Sequence, residues 1–533
     1  MKVFLLHRDR DFDMQRPLPA HEPELMQDLE LGVMLGAMAR GDRFLFEVAR
    51  RVVLCGENDL DTLRYRQAIL QDCLNNPAVV REIYQITIDS IENKRRQWLG
   101  MFGREPAAIL SGAVKLMQMF LELLRGLRAI ADQHADGFES KGFARFFAAV
   151  KTELDDEYLA AVEHHLQELG FRRGILLSAE LGPGNEGAGY VLRRPNAHQG
   201  NRLTRALTQR SPVYTFHIHP RDEYGARAVS DLKERGMNLV ANALAQSADH
   251  IDSFFEVLRI ELAFYIACLN LHAQLGEIGH GVCFPTLVAP DERRHSFAGL
   301  YDVCLALTMN RQVVGNAVMA DKVDLVTITG ANQGGKSTFL RSIGLAQLMM
   351  QCGMFVPADS FCANLCAGLF THFKRKEDAA MKSGKLDEEL SRMSVIVDRL
   401  TPNALVLFNE SFAATNEREG SEIARQIVSA LVERRVKVFF VTHLYALARG
   451  FYDTGRADTI FLVAERRADG ERTFKMVEGE PTQTSYGKDL YHSVFGNPES
   501  GGLETVANSP QSWQPYRGMR SAGASARPGE ATG

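Results

Sequence analysis

Long apolar runs are what this 533-residue chain lacks first. The N-terminal apolar stretch, Val3–Leu6, spans four residues and is too short for a signal core. The most apolar helical stretch, Ala107–Ala131, is broken by Lys115, Glu122, Arg125 and Arg128, which argues against a membrane span. Charge of one sign is also missing. Sixty-one basic residues face 66 acidic ones, so the bulk charge does not advertise a nucleic-acid binder. Clusters such as Lys94-Arg95-Arg96 and Arg193-Arg194 are the common pattern of solvated faces. The eight cysteines are scattered. Cys362-x-x-x-Cys366 has neither a partner pair nor a nearby histidine cluster, so reduced thiols in a cytoplasmic protein are expected rather than disulfides or a metal site. No internal repeat is visible. What remains is an ordinary globular composition, 45% hydrophobic and 24% charged, long enough for two to four domains.

Against that plain background, DLVTITGANQGGKST at 324–338 stands out. Asp324–Thr329 is a β-branched run, the pattern of a buried strand. Gly330, Gly335, Lys336 and Ser337 fit G-x-x-x-x-G-K-[ST], and a helix-forming run, Thr338–Met350, follows. Glycines let the backbone curl so that its N–H groups face phosphate oxygens. The candidate cradle is therefore Gly330, Ala331, Asn332, Gln333, Gly334, Gly335, Lys336, Ser337 and Thr338. Lys336 would reach the β and γ phosphates of ATP, and Ser337 would hold Mg²⁺. Downstream, the apolar strand Ala404–Phe408 ends in Asn409-Glu410. ATPases of this kind place Asp-Glu there, the Asp supporting Mg²⁺ through water and the Glu polarising the attacking water. Asn409 can still accept a hydrogen bond but brings no charge. A third apolar strand, Val436–Val441, ends in Thr442-His443, where His443 can sense the γ-phosphate.

Elsewhere the chain divides by pattern. Residues 1–23 look like a loosely packed lead-in. Residues 24–283 are mainly helical, with Val114, Met117, Leu121 and Leu124 marking one apolar face and a long amphipathic helix within 222–276. A small β-containing insertion is expected near 171–219, from GILLSAEL, GYVLRR and VYTFHIHP. Residues 284–496 form the nucleotide domain. The tail 497–533, rich in Gly, Ser, Ala and Pro, has the composition of a disordered segment.

The order of phosphate loop, acidic strand end and strand-end His matches ABC-type ATPases. Within that class, TITGANQGGKSTFLRSIGLAQLMMQCGMFVPA (327–358) closely resembles the ATPase domain of MutS-type mismatch-repair proteins. GLYDVCLAL (299–307), VVGNAV (313–318), LFTHFKRKED (369–378), FFVTHLYAL (439–447) and TSYGKDL (484–490) resemble other segments of that domain. LDTLRYRQAILQDCLNNPAVV (60–80) resembles the start of the MutS helical core, and 251–276 its returning lever helix. The resemblance implies an α/β P-loop domain behind a helical core and lever domain, and a dimer whose two protomers complete each other's ATP sites. It implies DNA as a partner, Asn316 near the adenine, and LFTHFKRKED as a loop before the signature helix. Departures are equally visible. The lever-like helices begin within the first 40 residues, so no mismatch-reading domain is expected; Phe254-Phe255-Glu256 fits that reader's Phe-x-Glu but lies in a helical run. Ser383 stands one residue away from the place of the signature serine. SFAATNEREG replaces a glycine-rich turn after Glu410. Two readings follow. One is a MutS-like ATPase acting on DNA. The other is a nucleotide-gated dimeric scaffold that hydrolyses slowly and works through a protein partner. A transporter subunit is disfavoured, because a long helical core precedes the phosphate loop and no LSGGQ-type signature is present.

Overall fold

The computed structural model describes residues 1–98, 105–171, 174–194, 214–375, 384–467 and 471–482. Its first part is helical: α1 Glu22–Asp28, α2 Leu31–Ala39, α3 Arg43–Cys55, α4 Leu60–Asn75, α5 Pro77–Trp98, α6 Pro106–His134, α7 Lys141–Glu153, α8 Asp156–Glu168 and α9 Glu223–Ile278. Helix starts are written locally. Asp42, Asp59, Ser140, Asp155 and Asp222 each cap a helix by accepting backbone N–H groups of the first turn. α9 runs unbroken for 56 residues, about 84 Å at helical rise, and ends at Gly279 in the left-handed region. Phe254, Phe255, Leu258, Leu262 and Phe264 of α9 are buried in the core. α6 is long and apolar enough by composition to cross a membrane, and its Phe120, Leu124 and Leu127 are buried in the same core.

Two strands, β1 Leu176–Leu181 and β2 Gly187–Arg193, pair antiparallel as the expected insertion. The third expected strand is not formed, since residues 214–219 carry no regular structure. The lead-in also differs from expectation. Val3, Leu5, Leu6 and Phe12 are buried. The backbone N–H groups of Leu5, Leu6 and Phe12 donate to Glu261 of α9, and Tyr265 Oη donates to Leu5 O at 2.7 Å. A stretch without periodicity can still be tied down when a distant buried carboxylate takes its N–H groups. Burial pushes the Glu261 carboxyl up to about 7 against the pull of those donors.

The second part is α/β. Its elements are β3 Thr286–Val288, β4 His295–Leu300, α10 Val303–Met309, β5 Asn316–Met319, β6 Leu325–Thr329, α11 Lys336–Gln351, β7 Ser360–Asn364, β8 Leu369–Phe373, α12 Lys385–Val397, β9 Leu405–Asn409, α13 Glu417–Glu433, β10 Lys437–Val441, α14 Tyr445–Asp453, β11 Thr459–Arg466 and β12 Arg472–Glu478. Six strands form one sheet in the order β12-β11-β6-β10-β9-β8, parallel except for β12. Both faces are covered, so its strands read as continuous apolar runs. Val326, Ile328, Leu405, Leu407, Phe439 and Val441 pack into the apolar core shared with the helical region, while Val406, Phe408, Val438 and Phe440 pack on the opposite side, in a cluster shared with α13 and α14. β3, β7, β4 and β5 make a smaller mixed sheet. Segment 369–373, expected as a loop, is instead the edge strand β8, whose five residues are all buried as it completes the sheet beside β9.

Candidate nucleotide site

Strand order places the site. β10 lies between β6 and β9, so the residues leaving the carboxyl ends of all three converge at one edge, the usual ligand position in open α/β sheets. After β6 the chain turns through Gly330 at φ 114°, Gln333 at φ 59° and Gly335 at φ 87° before α11 begins at Lys336. A Cβ at Gly330 would also sit 2.9 Å from the backbone nitrogen of Ala464 on β11, so glycine is required twice over there.

Lys336 is 5% exposed, and its Nζ donates to Gly330 O at 2.9 Å and Ala331 O at 2.8 Å. The ammonium thus rests on the carbonyls of its own loop. Burial lowers its pKa to about 8, opposed by the nearby Glu410 carboxylate. Ser337 Oγ donates to Asn409 Oδ1 at 2.9 Å. One step along, Glu410 lies 2.7 Å from His443 Nε2. That hydrogen bond is the main reason the Glu410 carboxyl sits below its usual value. The three strand-end elements therefore meet as two side-chain pairs beside a buried lysine.

Lys336, Ser337 and Glu410 border a cavity of about 700 Å³, within the range of small-ligand sites, while His443 lines a neighbouring one. Asn332, Gln333, Gly334, Gly335, Ser337 and Thr338 line one wall. Tyr301, Val313 and Phe474 line the cavity too, Phe474 lying against Gly335. Asn316 borders the cavity, but its amide is committed to backbone: Oδ1 accepts from Met476 N at 2.7 Å and Nδ2 donates to Phe474 O at 3.3 Å. Its observed work is to pin β12, which presents Phe474, 47% exposed, at the mouth. Nothing in the pattern around Phe474 marked it. It reaches the cavity through the antiparallel return of β12 and a backbone at φ 59°. Ser383 and the segment 484–490 lie outside the described residues.

The residues present suit a nucleotide with its divalent ion. A buried cation sits in an N–H-rich loop at a helix N-terminus, a half-exposed aromatic ring, Phe474, lies against Gly335 of that loop, and two neutral oxygens, from Ser337 and Asn409, stand together, the ligand type that hard cations take.

Comparison with known proteins agrees with this geometry. Residues 58–278 match the family model described as MutS2 N-terminal domain, and residues 326–500 match that of MutS domain V. The chain is 32% identical over 237 residues to the DNA mismatch repair protein MutS of Thermus aquaticus, covering 44% of this chain and 28% of that protein. It is 32% identical over 267 residues to the protein of the same name from Thermotoga neapolitana, covering 49% and 32%. For that of Thermotoga petrophila the values are 34% over 180 residues, 33% and 22%. The chain thus spans about a third or less of the length of these relatives.

Proposed function

The chain belongs to the MutS family, and from that premise we propose that it is a dimeric, ATP-hydrolysing protein that couples its nucleotide state to DNA binding, in mismatch repair or related DNA maintenance. The observation that carries this reading is the meeting of Lys336, Ser337 and Glu410 at one cavity, with Asn409 hydrogen-bonded to Ser337 and His443 to Glu410. Each member has a separate task. Lys336 exchanges the Gly330 and Ala331 carbonyls for phosphate oxygens when ATP enters. Phe474 offers a flat face to the base. Glu410, held ionised by His443, orients a water by accepting its hydrogen bond. His443, hydrogen-bonded to Glu410, is assigned the sensing of the terminal phosphate. Ser337 and Asn409 are the residues that would hold Mg²⁺, which when bound neutralises charge on the transferred phosphate. DNA, a second copy of the chain, and the cytoplasm as its location belong to this same proposal.

Asn409 favours a second reading. Its neutral amide attracts a divalent ion less than a carboxylate does, which supports a scaffold that binds ATP and hydrolyses it slowly. Steady-state ATPase rates separate the two. The enzymatic reading expects wild type to exceed Glu410→Gln by about a hundredfold, and Asn409→Asp to lower the Mg²⁺ concentration needed for half-maximal rate. A wild type no faster than Glu410→Gln would leave the scaffold standing.

A further inference from the structure

Glu410 sits where the sheet stops holding the chain. β9 pairs with β10 and β8 as far as Asn409, and Glu410 N makes the last strand-type bond, to Val441 O at 2.8 Å. Beyond it the backbone is bent into the left-handed region twice, at Glu410 (φ 54°) and at Phe412 (φ 63°). Neither is glycine, and a bulky residue there persists only when its surroundings fix it.

The fixing contacts are side chains of two other elements. Glu389 of α12, 4% exposed, accepts the Phe412 backbone N–H through Oε2 at 2.8 Å. His372 of β8, fully buried, bridges the two elements. Its Nε2 lies 3.0 Å from the Glu389 carbonyl, and its Nδ1 lies 2.7 Å from Ser411 Oγ. A carbonyl only accepts, so Nε2 carries the ring proton. Burial lowers the pKa of His372 to about 4, so the ring is neutral and Nδ1 accepts the Ser411 hydroxyl. The single Ser411 hydroxyl proton is shared, since Oγ also donates to His372 O at 2.5 Å. The His372 ring stacks on Phe412 with centroids 5.2 Å apart. None of Glu389, His372 or Ser411 lines the nucleotide cavity.

We propose that Glu389 and His372 are positioning residues for Glu410: through Phe412 and Ser411 they hold the turn from which its carboxylate faces the cavity. This rests on the hydrolytic reading above. It gives α12 a direct mechanical hold on the water-orienting carboxylate, independent of ATP binding.

The test measures ATPase kinetics and binding of a fluorescent ATP analogue on the full chain, with thermal unfolding alongside. Glu389→Ala orphans the Phe412 N–H and should lower kcat about tenfold or more while KM and the analogue's Kd stay within about twofold. Glu389→Gln keeps a carbonyl oxygen for that N–H and should restore most of the rate. Should Glu389→Ala fail to fold, Ser411→Ala carries the same split. An unchanged kcat in the folded variant, a loss in Kd equal to that in kcat, or no recovery with Gln overturns the proposal alone. A wild type no faster than Glu410→Gln overturns the hydrolytic reading, and this proposal with it.

Discussion

The two halves of α9 live in different surroundings although they are one continuous helix. Between Phe254 and Leu275 nearly every apolar side chain is buried, and a carboxylate, Glu261, is buried with them. His272 meets Phe355, just beyond the phosphate-loop helix α11, with ring centroids 5.5 Å apart. Between Glu223 and Ala248 only Gly236, Met237, Ala241 and Ala248 are buried, while Tyr224 and Leu239 are 86% and 71% exposed. The lesson is about where the helix can be moved from. Its inner half is locked into the core that carries the nucleotide site, so the root cannot shift without that core. Its outer half makes few contacts that resist being carried along. The outer half is held chiefly by Met237 and Ala241, which pack against Leu110 and Val114 of α6, so it is lightly tethered while its root is locked.

The largest expected effect tests the root. Phe255 is fully buried, with rings of Phe120 and Phe254 at 5.8 and 5.4 Å. Phe255→Ala should cost about 3–5 kcal/mol in denaturant unfolding, from lost transfer energy plus the cavity left behind. A loss under about 1 kcal/mol would erase the distinction between the halves.

How much of this was legible in the sequence follows the same division between local and long-range causes. The phosphate loop was readable because its turn needs glycines at Gly330 and Gly335 and its chemistry needs Lys336 and Ser337 beside them. Glu410 and His443 were readable because parallel strands announce themselves as apolar runs, and their ends share one edge of the sheet. The long helix was readable from unbroken amphipathic pattern between Asp222 and Gly279. Three things were not. The lead-in looked loose because its hydrogen-bond partner, Glu261, is some 250 residues away. Asn316 lines the cavity, but its side chain also holds the backbone of β12, a pairing set by tertiary structure. His372 sits inside the resembling stretch 369–378 but nothing marked its role, and Glu389 carried no motif, because a carboxylate that caps one buried N–H looks in sequence like any helix-surface acid.

A middle-sized effect shows what burial does at the nucleotide end. Lys336 is nearly inaccessible, and burial brings its pKa down to about 8. Phosphate binds the charged form. Below pH 8 the lysine is already protonated, so affinity should be flat. Above it, each binding event must also take up a proton, so affinity falls. Binding of a fluorescent ATP analogue should weaken about tenfold from pH 7 to pH 9, and Lys336→Met should bind weakly with no such slope. A flat wild-type profile to pH 9.5 would mean that the lysine keeps its ordinary pKa, and that the site is wetter than its burial implies.

The smallest expected effect is at the other end of the comparison, and it is the most easily broken. Leu239 lies on the outer half of α9 with 71% of its surface exposed. An apolar side chain already in water has little transfer energy to lose, and glutamine is nearly as good a helix former as leucine. Leu239→Gln should therefore change unfolding free energy by less than about 0.5 kcal/mol. The measurement is worth making at two protein concentrations tenfold apart. If the substitution costs nothing at either, the outer half is bare in the isolated chain and free to follow its root. If it costs more than about 1 kcal/mol only at the higher concentration, Leu239 is covered by a second copy, and the outer half is an interface rather than a free arm.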